Sequence, residues 1–435
     1  MTDQYGAEPS AALAATATAP PAPDRPRGRL PLTGNMIIEA VMEGNSVVLT
    51  ILAFVVALLV GAVLIVASDP AVLHAWASFS YAPGTALSDT WSSVSSAYSA
   101  LFEGSIFSPA TVSAAFHGGS IAAIFYPLSL TAFEATPLIL TGLSVAVAFR
   151  AGMFNIGAAG QWVGGAVVAT WLGYAVNLPI VLHAVVCIIG AFAGGAVLGW
   201  LVGEIKARTG AHEVILTIML NYVMYNFLAF MLTSHNLMQA PGQTNAVAPN
   251  VAGSAMLPHV GGPPPQAGAG FLIAVAAAVA TAWLLSRSTL GFQFKTVGAS
   301  PRAARSAGIS VERAWVLAFL IAGGLAGLSA ATIVQGQTAP LTTNSYGTYG
   351  FDGITVALLG RSRPFGVVLA GLLFGALNGG GTVMEAATGV PSDVVDVIKG
   401  LIVLLVAAPP LIRLLFRLRG TGVTGPSVAP KGWSA

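Results

Sequence analysis

The chain is a succession of long apolar runs separated by short polar breaks. Runs fall at residues 47–67, 121–149, 156–176, 179–202, 214–232, 271–285, 315–334, 365–376 and 394–415, with a brief one at 353–359. A helix needs roughly 20 apolar residues to cross a bilayer, and most of these runs approach that length. The 353–359 run is too brief to span alone. It reads as a half-helix or short tilted segment, which is tolerated at membrane depth only where protein buries its ends. The pattern predicts an all-α, polytopic transmembrane helical bundle of about ten helical segments, one of them short or re-entrant.

Composition changes the picture by naming the solvent. The 435 residues are 55% hydrophobic and only 8% charged, against roughly 25% charged in soluble domains. Water cannot solvate such a surface, and lipid is the expected partner for most of the chain. A net charge of +2 gives no reason to expect nucleic acid. The placement of the basic residues says more. Arg25, Arg27 and Arg29 precede the first run, Lys206 and Arg208 follow the fourth, and Arg287, Lys295, Arg302, Arg305 and Arg313 crowd residues 286–314. Arg413, Arg417 and Arg419 end the last run, whereas residues 70–118 and 234–270 carry no Lys or Arg. Alternation of this kind fits cytoplasmic basic loops and external neutral ones.

Residues 1–35 are rich in Ala and Pro and read as a disordered cytoplasmic tail, 36–419 as the membrane domain, and 420–435 as a cytoplasmic C-terminal tail. The first run is longer than a signal-peptide core and lacks a convincing cleavage site, so it is expected to stay in the membrane. Cys187 is the single cysteine, and the six histidines lack metal-ligand spacing, so neither a metal site nor a nucleophilic triad is suggested. Glycines recur four apart at 160/164, 190/194, 199/203, 323/327 and 371/375. In lipid such ridges let helices approach closely.

The 286–314 loop carries its own punctuation. Ser300 fits an N-cap, Pro301 the first helical position and Gly308 the position beyond the end. Between them Arg302, Ala303, Ala304 and Arg305 make a short basic helix suited to docking on a cytoplasmic partner. Ser310 and Glu312 then open the next helix. Polar groups inside apolar runs are expensive and are the default functional candidates. They are Glu134; Phe154, Asn155 and Gln161 of the FNIGAAGQ stretch; Asn221, Tyr222 and Asn226; and Asp352 at the brief run. Amide and phenol groups suit a neutral, hydroxyl-rich ligand, and aromatic faces suit a base ring. For each, interhelical hydrogen bonding is the competing role.

The string VGASPRAARSAGI at 297–309 is similar to the coupling segment of type II ABC importer permeases of the branched-chain amino acid, ribose and nucleoside group. Residues 134–165 and 346–375 resemble the nucleoside and simple-sugar branch, and the resemblance covers roughly 120–415. The branch usually reads Phe-Asn-Ile-Gly-Ala-Glu-Gly-Gln where Ala159 replaces the glutamate here. The resemblance implies a multi-pass permease subunit in the plasma membrane of a bacterium, importing nucleosides or related sugars. It implies an ABC ATPase subunit with two nucleotide-binding domains, a second permease chain and an extracytoplasmic substrate-binding lipoprotein as partners. In that scheme Ser300 to Arg305 and Gly308 couple to the ATPase. The chain itself has no Gly-x4-Gly-Lys-Ser/Thr loop, so it is expected to be no enzyme and to hold no cofactor, with ATP on the partner. A ribose or branched-chain amino acid permease, and less closely an ion-coupled secondary transporter, are the alternatives.

Overall fold

The computed structural model describes residues 46–117, 121–258, 267–337 and 339–416. The two tails, Arg417 and Arg419 therefore lie outside the described residues. Sixteen α-helices follow in order among them. They are α1 (Ser46–Ser68), α2 (Pro70–Ala77), α3 (Pro83–Ser105), α4 (Pro109–Phe116), α5 (Tyr126–Arg150), α6 (Ala158–Ala175), α7 (Ile180–Thr209) and α8 (Glu213–Thr233). Next come α9 (Ala269–Arg287), α10 (Thr289–Ala299), α11 (Pro301–Ser306), α12 (Val311–Val334), α13 (Tyr349–Leu359), α14 (Pro364–Thr388), α15 (Asp393–Ala407) and α16 (Pro409–Leu415).

Seven of these are long and apolar enough to cross a membrane: α1, α5, α7, α8, α9, α12 and α14. With α6, α15 and the short α13 they account for the ten expected segments. The central helices are α5 and α12, buried along most of their length, while less than a third of α1, α7, α8 and α9 is buried, as in lipid-facing helices.

Glycine decides how closely the inner helices meet. Gly195 and Gly199 of α7 lie directly against Gly323, Gly327 and the Phe319 carbonyl of α12, so a methyl group at Gly199 would collide with backbone. Gly164 of α6 meets Gly194 of α7, and Gly371 and Gly375 of α14 meet Ile139 and Ala135 of α5. The four-residue glycine spacings thus form seams within this chain, where backbone contact supplies the dispersion energy that burial from water cannot give in lipid.

One end of the bundle gathers the basic residues. Lys206 pairs with Glu213 at 2.7 Å and sits over the Trp315 ring, and Arg150 Nε donates to the Ser362 carbonyl at 3.1 Å. The α13–α14 turn that carries Ser362 places Arg361 and Ser362 in the left-handed region, at φ 53° and 50°.

Three expected boundaries are corrected. The 394–415 run is two helices, because Pro409 and Pro410 lack N–H groups and the residue before a proline is driven out of helical space; Ala408 sits at φ −116°, ψ 70°. The 365–376 run extends to Thr388, since Asn378 and Gly379 to Gly381 interrupt its hydropathy without breaking its backbone. The half-helix begins at Tyr349, ahead of Asp352.

Candidate functional site

Two helix starts meet within this chain. The chain leaves α5 at Arg150, turns at Gly152 (φ 75°), and residues 151–157 fold back so that fully buried Asn155 reaches Ser144 of α5. α6 then starts at Ala158. The N-terminus of α13 lies on this start: a Cβ at Gly350 would fall 2.5 Å from Ala159 Cα. Gly353, one turn on, packs on Thr141 of α5. The alanine at 159 thus leaves room for α13 to sit directly on α6, a position from which a glutamate side chain would have to be expelled. Helix N-termini carry unpaired N–H groups and a partial positive charge.

The amides singled out from the sequence mostly hold this loop. Asn155 and Gln161 bond to one another in both directions, Nδ2 to Oε1 at 2.9 Å and Nε2 to Oδ1 at 3.2 Å. Asn221 of α8 clamps the same stretch, donating to the Ile156 carbonyl at 3.0 Å and accepting from Gly160 N–H at 2.7 Å. Phe154 packs against Phe149 with ring centres 4.9 Å apart. Tyr222 and Asn226 do share a face, but it is the outer face of α8: Tyr222 is 61% exposed, and the Asn226 amide bonds to the Tyr222 carbonyl.

Glu134 and Asp352 come together through Asn378 and Lys399. Lys399 of α15, 6% exposed, donates to Asn378 Oδ1 of α14 at 2.7 Å and pairs with Asp396 at 2.6 Å and Asp352 at 3.9 Å. Asn378 is in turn the hydrogen-bond partner of Glu134 on α5. Thr348 Oγ1 donates to Asp352 Oδ2 at 2.7 Å. Four helices are therefore joined by one charged network, with three carboxylates around a single ammonium. Lys399 is a cation taken out of solvent, a position that buried pairing alone makes tolerable. Its signal in the sequence was a lysine inside the apolar run 394–415.

An aromatic group adjoins this network. The Trp162 and Tyr349 rings stack with centres 6.2 Å apart, and Tyr225 of α8 stacks on Tyr346 at 4.3 Å. Trp162 is fully buried, and its indole N–H has no partner among the described residues. The Tyr349 phenol lies within electrostatic reach of both Glu134 and Asp352.

At the basic end, Ser300 Oγ accepts from Ala303 N–H at 3.3 Å, Pro301 occupies the first turn, and Gly308 adopts φ 77°. Ala304 alone of α11 is buried; Arg302 and Arg305 are exposed, Arg305 pairing with Glu312 at 2.7 Å. The segment is fixed from behind by Gly298, which packs on the Arg150 carbonyl and Gly152.

Residues 127–407 match the family described as branched-chain amino acid transport system / permease component. The chain is 36% identical over 333 residues to a guanosine ABC transporter permease protein of Bacillus subtilis, covering 74% of this chain and 88% of that protein. It is 35% identical over 285 residues to a glucose ABC transporter permease protein of Haloferax volcanii, covering 62% of this chain and 73% of that one. A nucleoside ABC transporter permease protein of Lactococcus lactis is 34% identical over 288 residues, covering 64% of this chain and 78% of that one. No solved structure matches.

Proposed function

This chain belongs to the family of permease components of branched-chain amino acid transport systems, and from that premise we propose that it forms the translocation path for nucleosides in an ATP-driven importer. It is a multi-pass membrane transport subunit. The observation that carries the substrate class is the match to the guanosine permease across 88% of that protein's length. Energy enters from a separate ATPase with two nucleotide-binding domains, which docks on α11. A capped, basic helix anchored by one buried alanine, with its arginines outward, is a rigid handle of the sort that transmits a push. A second permease chain and a substrate-delivering lipoprotein complete the assembly on this reading, in the plasma membrane of a bacterium.

Inside the bundle, Glu134, Asp352 and the two helix starts at α6 and α13 supply polar groups at a depth where lipid supplies none. Phe154, Asn155, Gln161 and Asn221 shape the path by fixing the 151–157 loop. The path role of Tyr222 and Asn226 is confined to the outer face of α8. The identity to a glucose permease favours a second reading, a sugar importer. Uptake of radiolabelled guanosine in a strain deleted for this gene and complemented by it, with unlabelled guanosine, glucose, ribose and leucine as competitors, separates the two. Competition by nucleosides alone supports the proposal; gene-dependent uptake of labelled glucose with none of labelled guanosine replaces it with the second reading.

A further inference from the structure

The charged network and the aromatic group share one edge, at Tyr349 and Thr348. A buried ion network costs desolvation that its own attraction does not reliably return. A buried indole N–H without an acceptor adds a further cost with no return. Lys399 is the cation that faces these acids, one ammonium against three carboxylates, and among the described residues no group of three or more His, Cys, Asp or Glu is placed to hold a metal ion. The network also has an open margin: Thr348 is exposed and the Asp396 side chain is 58% exposed.

These observations rest on different residues and point to one place. We propose that the junction of the α13 start with α14 and α15 is a substrate subsite that reads the vicinal hydroxyls of a ribose with Asp352 and Glu134, and the base with Trp162. Carboxylates only accept, and the two hydroxyls of a ribose are paired donors at the spacing a carboxylate takes up. Asp352 is a more available acceptor than Asp396, because its contact to Lys399 is 3.9 Å against 2.6 Å. An arriving diol replaces that contact while Asp396 and Asn378 keep the ammonium. The Trp162 N–H donates to a ring acceptor of the base, and the Tyr349 and Tyr346 rings offer faces for it to stack on.

The inference rests on the nucleoside reading, and the test separates the two. The complex of this permease with its ATPase, partner permease and binding protein is reconstituted in proteoliposomes. ATP-driven uptake is then compared for a ribonucleoside and its 2′,3′-dideoxy analogue. The binding protein's own preference is common to all permease variants and cancels when the uptake ratios are compared. Wild type is expected to favour the ribonucleoside by about tenfold or more, since a site built to bond a hydroxyl rejects the analogue lacking it. Asp352→Asn, nearly isosteric, should bring the ratio to within about twofold of the binding protein's own preference. Should that variant fail to assemble, Thr348→Val carries the same ratio test from an exposed position and should shift it in the same direction. Trp162→Phe should raise KM for both substrates by about tenfold with kcat kept. An unchanged ratio in an assembled Asp352→Asn or Thr348→Val complex overturns the subsite. Absence of any nucleoside uptake by wild type strikes the nucleoside reading instead.

Discussion

The α7–α12 seam makes the most calculable prediction. A methyl group at Gly199 would sit against the Phe319 carbonyl, 2.9 Å from its carbon and 3.0 Å from Gly323 Cα. Carbon atoms pack best at roughly 3.5–4.0 Å, so the helices must part by about 0.5–1 Å. A gap of that size forfeits between a quarter and a half of each contact's attraction along the seam. Overpacking of this kind costs about 1–3 kcal/mol per added methyl. Gly323→Ala opens the same gap from the other side, because its Cβ would meet the Gly195 carbonyl and lie 2.9 Å from Gly199 Cα. The two changes should therefore be sub-additive, the second costing less by about 0.5 kcal/mol or more. Gly400→Ala on α15 is the control, since nothing lies within 4 Å of its added Cβ. Thermal unfolding of the detergent-purified protein measures all four variants. If Gly199→Ala proves as harmless as Gly400→Ala, or if the double variant is fully additive, close backbone contact is not what holds α7 to α12.

The loop clamp and the basic helix give two further outcomes. Asn221→Leu removes two buried hydrogen bonds to the 156–160 backbone and should cost about 1–3 kcal/mol, read by thermal unfolding, with uptake falling further than stability; unchanged stability would mean the loop is held elsewhere. Arg302→Glu with Arg305→Glu should leave the fold nearly intact, as exposed pairs such as Arg305–Glu312 are worth about 1 kcal/mol or less. It should abolish co-purification with the ATPase and ATP-driven uptake; retained uptake would remove α11 from the coupling.

What the sequence made legible followed from local rules. Apolar run length located the spanning helices, and Ser300, Pro301 and Gly308 bounded α11, because capping depends on a few neighbouring residues. The glycine spacings marked close packing but not its partners. Gly199 meets Gly323 through a fold-wide arrangement that spacing alone does not encode. The site was legible only in halves. Glu134 and Asp352 stand out as acids in apolar surroundings, whereas Asn378 lies in a glycine-rich stretch just beyond the 365–376 run and Lys399 is a lone lysine inside the 394–415 run. Both are recognisable only once α14 and α15 are packed beside α13. Tyr222 and Asn226 lie on the outer face of α8, and polarity in an apolar run does not say which way a residue faces.

The claim on which the account turns is that α11 faces the cytosol and meets a separate ATPase. In a Cys187→Ala background, Ser306→Cys places one exposed thiol at the end of that helix. Treated with a membrane-impermeant maleimide, inside-out vesicles should label at this position, intact cells should not, and added ATPase should protect it. Labelling from outside intact cells would contradict the topology, the docking surface and the direction of energy input together.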